Sequence, residues 1–318
     1  MKDQLKGKTI VVTGGAGAIG SNLVRELDVL GCTIIVVDDL SSGYLDILPQ
    51  SQNITFIQGS ITEDEILKKV FSHDIDYVFH LAALFANQNS IEHPEQDLKV
   101  NALGTLKLLT YAKDCNVKKF IYTSSSCVYG DKVGAVSEDR TDFHLHTPYA
   151  VSKLMGEKYV MFFNEYYGLK TVILRLFNSF GPGEKPGVYR NVVPNFFRKA
   201  INKEPLTIYG TGNETRDFNW VGNVVQLLMK SAYNDSANAQ IFNVGSGKET
   251  TILEMAKLIN KITNNPAEVV FQPGRVWDGI KSRCADIEKA KKLLDYSPDA
   301  SSLEEQLTKT YEWIKKHA

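Results

Sequence analysis

Three tyrosine–lysine pairs at i, i+4 spacing are the first residues whose types could do chemistry together: Tyr149/Lys153, Tyr166/Lys170 and Tyr311/Lys315. A free phenol has a pKa near 10 and is protonated at neutral pH. A cation about 5 Å away, in an effective dielectric near 20, contributes roughly 3 kcal/mol, or a little over two pKa units. A lysine one helical turn from a tyrosine therefore brings the phenol toward service as a general base. Spacing alone does not choose among the three pairs, but position along the chain does. Tyr311 belongs to a polar amphipathic tail, Ser301 to His317, far in sequence from any nucleotide loop. Tyr166 sits where its helix ends, just before Gly168, so Lys170 leaves the shared face. Tyr149 follows Pro148, a favoured first helical residue, and Lys153 falls one turn on. The strand before it, Phe120–Thr123, runs into the hydroxyl cluster Thr123-Ser124-Ser125-Ser126. Tyr149, Lys153 and a serine are thus expected at the carboxyl end of one strand.

A second constellation lies near the start of the chain. Gly14-Gly15-Ala16-Gly17-Ala18-Ile19-Gly20 follows an apolar strand and opens a helical stretch. It satisfies G-x-x-G-x-x-G through Gly14, Gly17 and Gly20, and G-x-G-x-x-G through Gly15, Gly17 and Gly20. Glycine is needed for the tight turn, for backbone approach to a pyrophosphate, and for close packing of helix on strand. The helix N-terminus then faces the phosphates. The next strand ends in Asp38-Asp39. An acid there accepts hydrogen bonds from the adenosine ribose and repels a 2′-phosphate, and no Arg or Lys occurs between Gly31 and Ser51 to offset that repulsion. NAD is the expected cofactor, in preference to NADP.

The elements that must position these groups are legible as alternating patterns. Apolar runs at Thr9–Thr13, Thr33–Val37, Ile54–Gln58, Tyr77–His80, Phe120–Thr123 and Thr171–Leu174 read as strands buried on both faces. Helical stretches fall near Ala18–Leu30, Glu63–Phe71, Glu95–Cys115 and Pro148–Tyr167. Repeated strand–helix–strand units predict an α/β fold with a doubly wound parallel Rossmann sheet. After Asn178 the texture changes to Gly181-Pro182-Gly183 and Lys185-Pro186-Gly187, then a helix near Pro194–Asn202. The expected division is a first, dinucleotide-binding domain over 1–177 and a smaller second domain over 178–318, with a segment near 217–243 returning to the sheet.

Further motifs run through nearly the whole chain: His80-Leu81-Ala82-Ala83, Asn101, Ser125 ahead of Val128-Tyr129-Gly130, Arg175-Leu176-Phe177-Asn178, Arg216-Asp217-Phe218 and Phe242-Asn243-Val244-Gly245. With Thr13–Gly20, Asp38 and Tyr149/Lys153, they make the sequence similar to the extended short-chain dehydrogenase/reductase family, and within it to the nucleotide-sugar 4-epimerases of UDP-glucose type. The resemblance implies that Ser125 assists Tyr149, while Thr123, Lys153 and Phe177 line the nicotinamide side. It places Gly14, Gly17, Ala18, Ile19 and Gly20 at the pyrophosphate. Asp38, Asp39, Ser42 and Gly43 join the cofactor-binding set, with Ser60 and Ile61 near the adenine. Leu81, Ala82, Ala83 and Asn101 complete that set. The second domain becomes the nucleotide-sugar-binding one. Asn178, Asn191, Val192, Arg216, Arg275 and Asp278 are its implied contacts, Tyr209 stacks on the base, and Ser125 and Tyr149 touch the sugar. Two arginines can offset a diphosphate's charge.

Some positions depart from the family pattern. Gly59-Ser60 stands where Gly-Asp is usual, Phe85 where 4-epimerases commonly carry lysine, and Val221-Gly222-Asn223 lacks an acidic pair. Dehydratases and decarboxylases of the family carry acids where this chain has Ser126 and Cys127. Cys127 is similar to a proton-shuttling cysteine of GDP-mannose 3,5-epimerases, but no partner lysine stands near Asn191–Val193, and the residue reads as a small buried one. The reaction implied is C4 epimerisation of a UDP-sugar: UDP-glucose, UDP-N-acetylglucosamine or UDP-glucuronate. Tyr149 takes the O4 proton, hydride passes to NAD, and the 4-keto sugar turns over before hydride returns. An NDP-4-ketosugar reductase is the second reading, and a silent NAD-binding regulator the third. Across Gly279–Cys284, either Ser282 or Arg283 faces the sugar, and Arg283 could meet a uronate carboxylate. The family also implies a homodimer through Glu95–Cys115 and Pro148–Tyr167.

Bulk properties set the bounds. The 318 residues, 43% hydrophobic, suit an ordinary globular core. Lys plus Arg number 36 against 37 for Asp plus Glu, so nothing favours a nucleic acid or a membrane surface as partner. Cys32, Cys115, Cys127 and Cys284 show no CxxC spacing, so neither a metal site nor a redox dithiol is expected. No leader-like stretch opens the chain, and a cytoplasmic enzyme is the expectation.

Overall fold

The computed structural model describes residues 2–275 and 278–317. Seven strands form its central sheet: β1 (Thr9–Thr13), β2 (Thr33–Asp38), β3 (Ile54–Gln58), β4 (Tyr77–His80), β5 (Lys119–Ser125), β6 (Thr171–Leu176) and β7 (Gln240–Val244). Their order is β7-β6-β5-β4-β1-β2-β3, and every pairing is parallel. The chain runs outward from β1 to β3, then returns to the other side of β1 as β4. Loops leaving β1 and β4 therefore diverge, and a crevice opens at the carboxyl ends between them. The predicted doubly wound α/β fold is what forms.

The apolar runs give the strands because both sheet faces are covered. On one face, α1 (Ala18–Val29) and α6 (Val221–Tyr233) pack Leu23, Val24, Leu227 and Leu228 against Val12, Val36 and Phe242. On the other, α2 (Asp64–Val70), α3 (Thr105–Asp114) and α4 (Pro148–Tyr167) pack Leu67, Leu108 and Val160 against Val11, Val78 and Tyr122. β5 runs two residues past the predicted end. Ser124 and Ser125 pair with Arg175 and Leu176, so the ladder carries polar residues that intrinsic propensity would leave in a loop. The expected single helix over Glu95–Cys115 is broken in type: a short helix at Pro94–Asp97, a wider π-type turn at Leu98–Gly104, then α3. Such wide turns cluster near functional sites.

A third apolar core gathers Val193, Phe196 and Phe197 of α5 (Val192–Ile201), Met255 and Ile259 of α7 (Ile252–Thr263), and Leu307 and Ile314 of α9 (Leu303–His317). The chain crosses back from it twice. The expected return near 217–243 delivers α6 and β7. A later return lays Arg283–Ala285 parallel to Gly134–Val136, and α8 (Glu288–Leu294) buries Ala290 and Leu294 in the first sheet core. Among the described residues no helix is long and apolar enough to cross a membrane.

Candidate functional site

A cleft of about 550 Å³ opens over the carboxyl ends of the sheet strands. Its first wall is the glycine turn. Gly14 has φ +69°, and a Cβ there would lie 2.7 Å from the Ala82 backbone nitrogen. A Cβ on Gly20 would lie 2.2 Å from the Gly14 carbonyl oxygen. Only glycine lets α1 sit this close to β1 and β4. Gly17 precedes α1, and Gly17, Ala18, Ile19 and Gly20 line the cleft. The first turn of α1 carries no acidic side chain, so nothing local competes for its outward-pointing N–H groups.

Asp38 closes β2 on the same wall, with Asp39, Ser42, Gly43, Ser60 and Ile61 beside it. Its Oδ2 accepts from the Ala16 N–H and its Oδ1 from the Leu40 N–H, both at 2.9 Å. Burial pushes its carboxyl above the ordinary range, against those two bonds. Two cations arrive here from distant sequence. Lys185 pairs with Asp46 at 3.0 Å and lies over the Tyr44 ring, and Arg190 donates to the Ser42 carbonyl. The stretch from Gly31 to Ser51 has no basic residue of its own, but the tertiary fold supplies two.

At the centre, Ser125, Tyr149 and Lys153 line one floor, with Thr123 and Phe177. The Thr147 hydroxyl caps α4 by accepting from Ala150, which fixes the turn that carries Tyr149. Lys153 Nζ donates to the Thr123 carbonyl at 2.9 Å, and the Thr123 hydroxyl donates to the His80 carbonyl at 2.9 Å. His80 spans Thr13 and Thr105, 2.8 Å on each side, and burial keeps its ring neutral. Burial also pulls the Lys153 ammonium down to about 8, while Asp97 and Glu157 hold it up.

The phenol departs from expectation. Burial pushes Tyr149 above its ordinary value and the Cys127 thiol adds to the rise; the opposing pull comes from a Ser125 hydrogen bond, not from Lys153. The reason is geometric. The ammonium is committed to the Thr123 carbonyl and stands 5.9 Å from the Tyr149 ring centroid. Asn101, expected in the cofactor-binding set, stands behind the cleft wall. It is 1% exposed and does not line the cleft; it donates to the Leu84 carbonyl at 3.1 Å and accepts from the Leu84 N–H at 2.8 Å. It braces the wall that Leu81, Ala82 and Ala83 present to the cleft.

The far half of the cleft brings together Asn178, Asn191, Val192, Tyr209, Arg216, Arg275 and Asp278. Arg216 pairs with Asp278 at 2.7 Å, and its other terminal nitrogen donates to the Ile280 and Thr215 carbonyls. The Tyr209 ring, expected to stack on a base, has the Arg275 guanidinium over it at 4.3 Å. Sequence reasoning missed Glu184, Tyr189 and Arg190, which line the cleft from the Gly-Pro-punctuated loop. Glu184 accepts from the Asn191 side chain, and burial raises its carboxyl to about 7. Asn87 was missed too; its Oδ1 accepts from Thr147 at 2.9 Å and lies 3.7 Å from the Cys127 Sγ. Between Ser282 and Arg283, it is Arg283 that lines the cleft.

A doubly wound parallel sheet, a glycine turn at its first crossover, an acid ending the second strand and a Ser/Tyr/Lys group beneath one cleft define a dinucleotide-dependent enzyme of the short-chain dehydrogenase/reductase type. The chain belongs to the NAD dependent epimerase/dehydratase family, which matches residues 10–245, and NAD is its cofactor. It is 47% identical to an epimerase of Methanothermobacter thermautotrophicus, covering 99% of this chain and 94% of that one with a TM-score of 0.98. It is 36% identical to the UDP-glucose 4-epimerase of Thermotoga maritima, solved with UDP-glucose, covering 97% and 99% with a TM-score of 0.91. A UDP-N-acetyl-alpha-D-glucosaminuronate decarboxylase of Bacillus cytotoxicus is 32% identical over 97% of this chain and 98% of its own length. Epimerases and decarboxylases of UDP-sugars thus both stand among its relatives.

Proposed function

We propose that the protein epimerises a UDP-sugar at C4. The observation that carries this reading is the composition of one continuous cleft: Ser125 and Tyr149 at its centre, the glycine turn on one side, Arg216 and Arg275 on the other. The residues fit NAD, since glycine lets α1 pack close enough on β1 and β4 to bring its N-terminus to the cleft: a Cβ at Gly14 would strike the Ala82 backbone and one at Gly20 the Gly14 carbonyl. Held along Gly14–Gly20 and at Asp38, NAD would supply reversible acceptance of a hydride.

Tyr149 receives the proton of the sugar hydroxyl and later returns it, with the Ser125 hydroxyl sharing that proton. Lys153, anchored on Thr123, supplies positive charge beneath the pair. Arg216 and Arg275 hold the diphosphate, and the 4-keto sugar turns over in the open centre before the proton returns. Asn178, Asn191 and Val192 contact the nucleotide half. The nucleotide sugar sits mainly on residues 178–318 and the cofactor on 1–177. Elimination and decarboxylation are disfavoured because Ser126 and Cys127, not carboxylates, follow Ser125.

A homodimer joined through the Glu95–Cys115 stretch and α4 belongs to the same proposal. Leu98, Leu103, Val151, Phe162 and Tyr166 are apolar side chains left exposed along those two elements. Light scattering that returns a single 35.5 kDa species would reject it.

The test is incubation of the protein with UDP-glucose, UDP-N-acetylglucosamine and UDP-glucuronate without added reductant. Mass spectrometry and sugar chromatography should find the C4 epimer with its mass unchanged. Loss of CO₂ would make the protein a decarboxylase. Consumption of added NADH with a 4-keto sugar would favour the reductase reading.

A further inference from the structure

We propose that Asp131, His144 and His146 form a binding site for a divalent transition-metal ion of zinc type, on the loop between β5 and α4. None of the three lines the cleft, so the site is separate from the one described above and independent of the epimerase reading.

The chain brings these donors together from the two ends of one loop. His144-Leu145-His146 leads into Thr147, the residue that caps α4. The segment is neither helix nor strand, and both histidines are exposed while Leu145 is half-buried between them. The two imidazoles meet on one side, with ring centroids 4.8 Å apart and planes at 75°. Asp131 arrives from the start of the loop, and Gly130 makes that approach possible. At φ +55° it occupies the left-handed region, and a Cβ there would stand 2.5 Å from the His144 carbonyl oxygen. Asp142 fixes the other end: its Oδ1 accepts from the His144 N–H at 3.0 Å, and its own N–H donates to the Val128 carbonyl at 3.3 Å. The backbone that carries the donors is thus set before any ion arrives.

One donor atom from each of the three side chains lies within 4.8 Å of the others. Among the described residues no other three His, Cys, Asp or Glu side chains gather this closely. His146 Nε2 and Asp131 Oδ1 already share a hydrogen bond of 2.5 Å. Around a tetrahedral zinc with bonds of about 2.0–2.1 Å, donors stand roughly 3.3 Å apart. An ion in place of the shared proton therefore asks the short pair to open slightly and the outlying donor to close in. Exposed side chains make such movements by small rotations. Two imidazoles and one carboxylate suit zinc, cobalt or nickel, whereas calcium and magnesium take oxygen ligands. The neighbouring cation, Lys132, is paired with Asp142 at 3.4 Å. The set contains no cysteine, so cysteine spacing gives no sign of it. A bound ion would staple residue 131 to residue 146, beside the cap of the helix that carries Tyr149.

The experiment titrates NAD-loaded, tag-free protein, dialysed against a chelator, with Zn²⁺, Co²⁺, Mg²⁺ and Ca²⁺ by calorimetry. One Zn²⁺ or Co²⁺ per chain should bind with a Kd of about 10 µM or tighter, and Mg²⁺ and Ca²⁺ at least tenfold more weakly. His144→Ala and His146→Ala should each weaken Zn²⁺ binding at least tenfold, and the double variant should lose the site. Zn²⁺ should raise the thermal unfolding midpoint of wild type and leave that of the double variant unchanged. Both histidines are exposed, so without metal the variants should unfold as wild type does, which separates lost ligation from a damaged fold. Stoichiometric Zn²⁺ binding that survives in the double variant would assign the ion to the cysteines and overturn the proposal. Failure of wild type to bind one Zn²⁺ per chain overturns it as well, whatever the protein does to UDP-sugars.

Discussion

Lys153 Nζ donates to the carbonyl of Thr123, 2.9 Å away, and so its ammonium is tied to the strand that ends in Ser125. The bond fixes its position and costs it reach, since the Tyr149 ring centroid remains 5.9 Å off. Burial takes the ammonium from its ordinary 10.5 to about 8, so charge is lost within an accessible pH range.

The alkaline limb of activity should follow that titration. Lys153 is charged below pH 8 and neutral above it, so kcat/KM is expected to fall as pH rises through about 8. Asp97 is one of the charges holding Lys153 up. Asp97→Asn should move the limb to lower pH. A pH–rate profile in which the limb stays put rejects Asp97 as a positioning residue. For stability the sign is opposite to that of a gained partner. The folded state disfavours the charged lysine, so this group weakens the fold below pH 8, and the penalty fades between about 8 and 10.5.

Tyr149→Phe removes the proposed proton acceptor while leaving the ring's packing. Its kcat should fall by roughly 10²–10⁴, the range of a general base, with NAD retained through purification. Ser125→Ala should cost less and raise the pH at which the phenol ionises, because Ser125 is the group drawing it down. Turnover unchanged in Tyr149→Phe would mean that another residue is the base.

Cys127 is a test of proton affinity at the same centre. Its thiol raises Tyr149, so Cys127→Ala should shift the acid limb of kcat/KM to lower pH. A loss of epimerisation matching that of Tyr149→Phe would instead make the thiol an acid–base group.

Gly20→Ala probes the cofactor wall. The new methyl would meet the Gly14 carbonyl, backbone that cannot swing aside. Copurifying NAD should be lost and the fold weakened by about 1–3 kcal/mol. Absorbance of the released nucleotide reads the first and denaturant unfolding the second. A variant that keeps its NAD contradicts the packing argument.

The Arg175–Glu157 pair is a stability site. Both side chains are 1% exposed and joined by bonds of 2.9 and 2.8 Å. Arg175 also ties down the loop before α4 through the Glu138 carbonyl and the Thr141 hydroxyl, each at 2.8 Å. Arg175→Met leaves a buried carboxylate uncompensated and should cost about 3–5 kcal/mol in denaturant unfolding.

Much of this molecule was legible in its residues, for a physical reason. Strands buried on both faces must be apolar along their whole length, so β1, β2 and β4 read directly from Thr9–Thr13, Thr33–Val37 and Tyr77–His80, whereas the edge strand β3 buries only Ile57 fully. A glycine turn that packs a helix on a strand is a local constraint, as is a tyrosine–lysine pair on one helical face. Context within some thirty residues sufficed to pick Tyr149, the one of the three paired tyrosines that lines the cleft. What the sequence could not decide is what arrives from afar. The approach of Lys185 and Arg190 to the Ser42 loop, the bracing role of Asn101, the ion pair that holds Arg216, and the choice of Arg283 over Ser282 each depend on contacts between separate elements of the fold. So does the proton affinity of Tyr149, because burial is a property of the packed fold and no spacing along the chain encodes it.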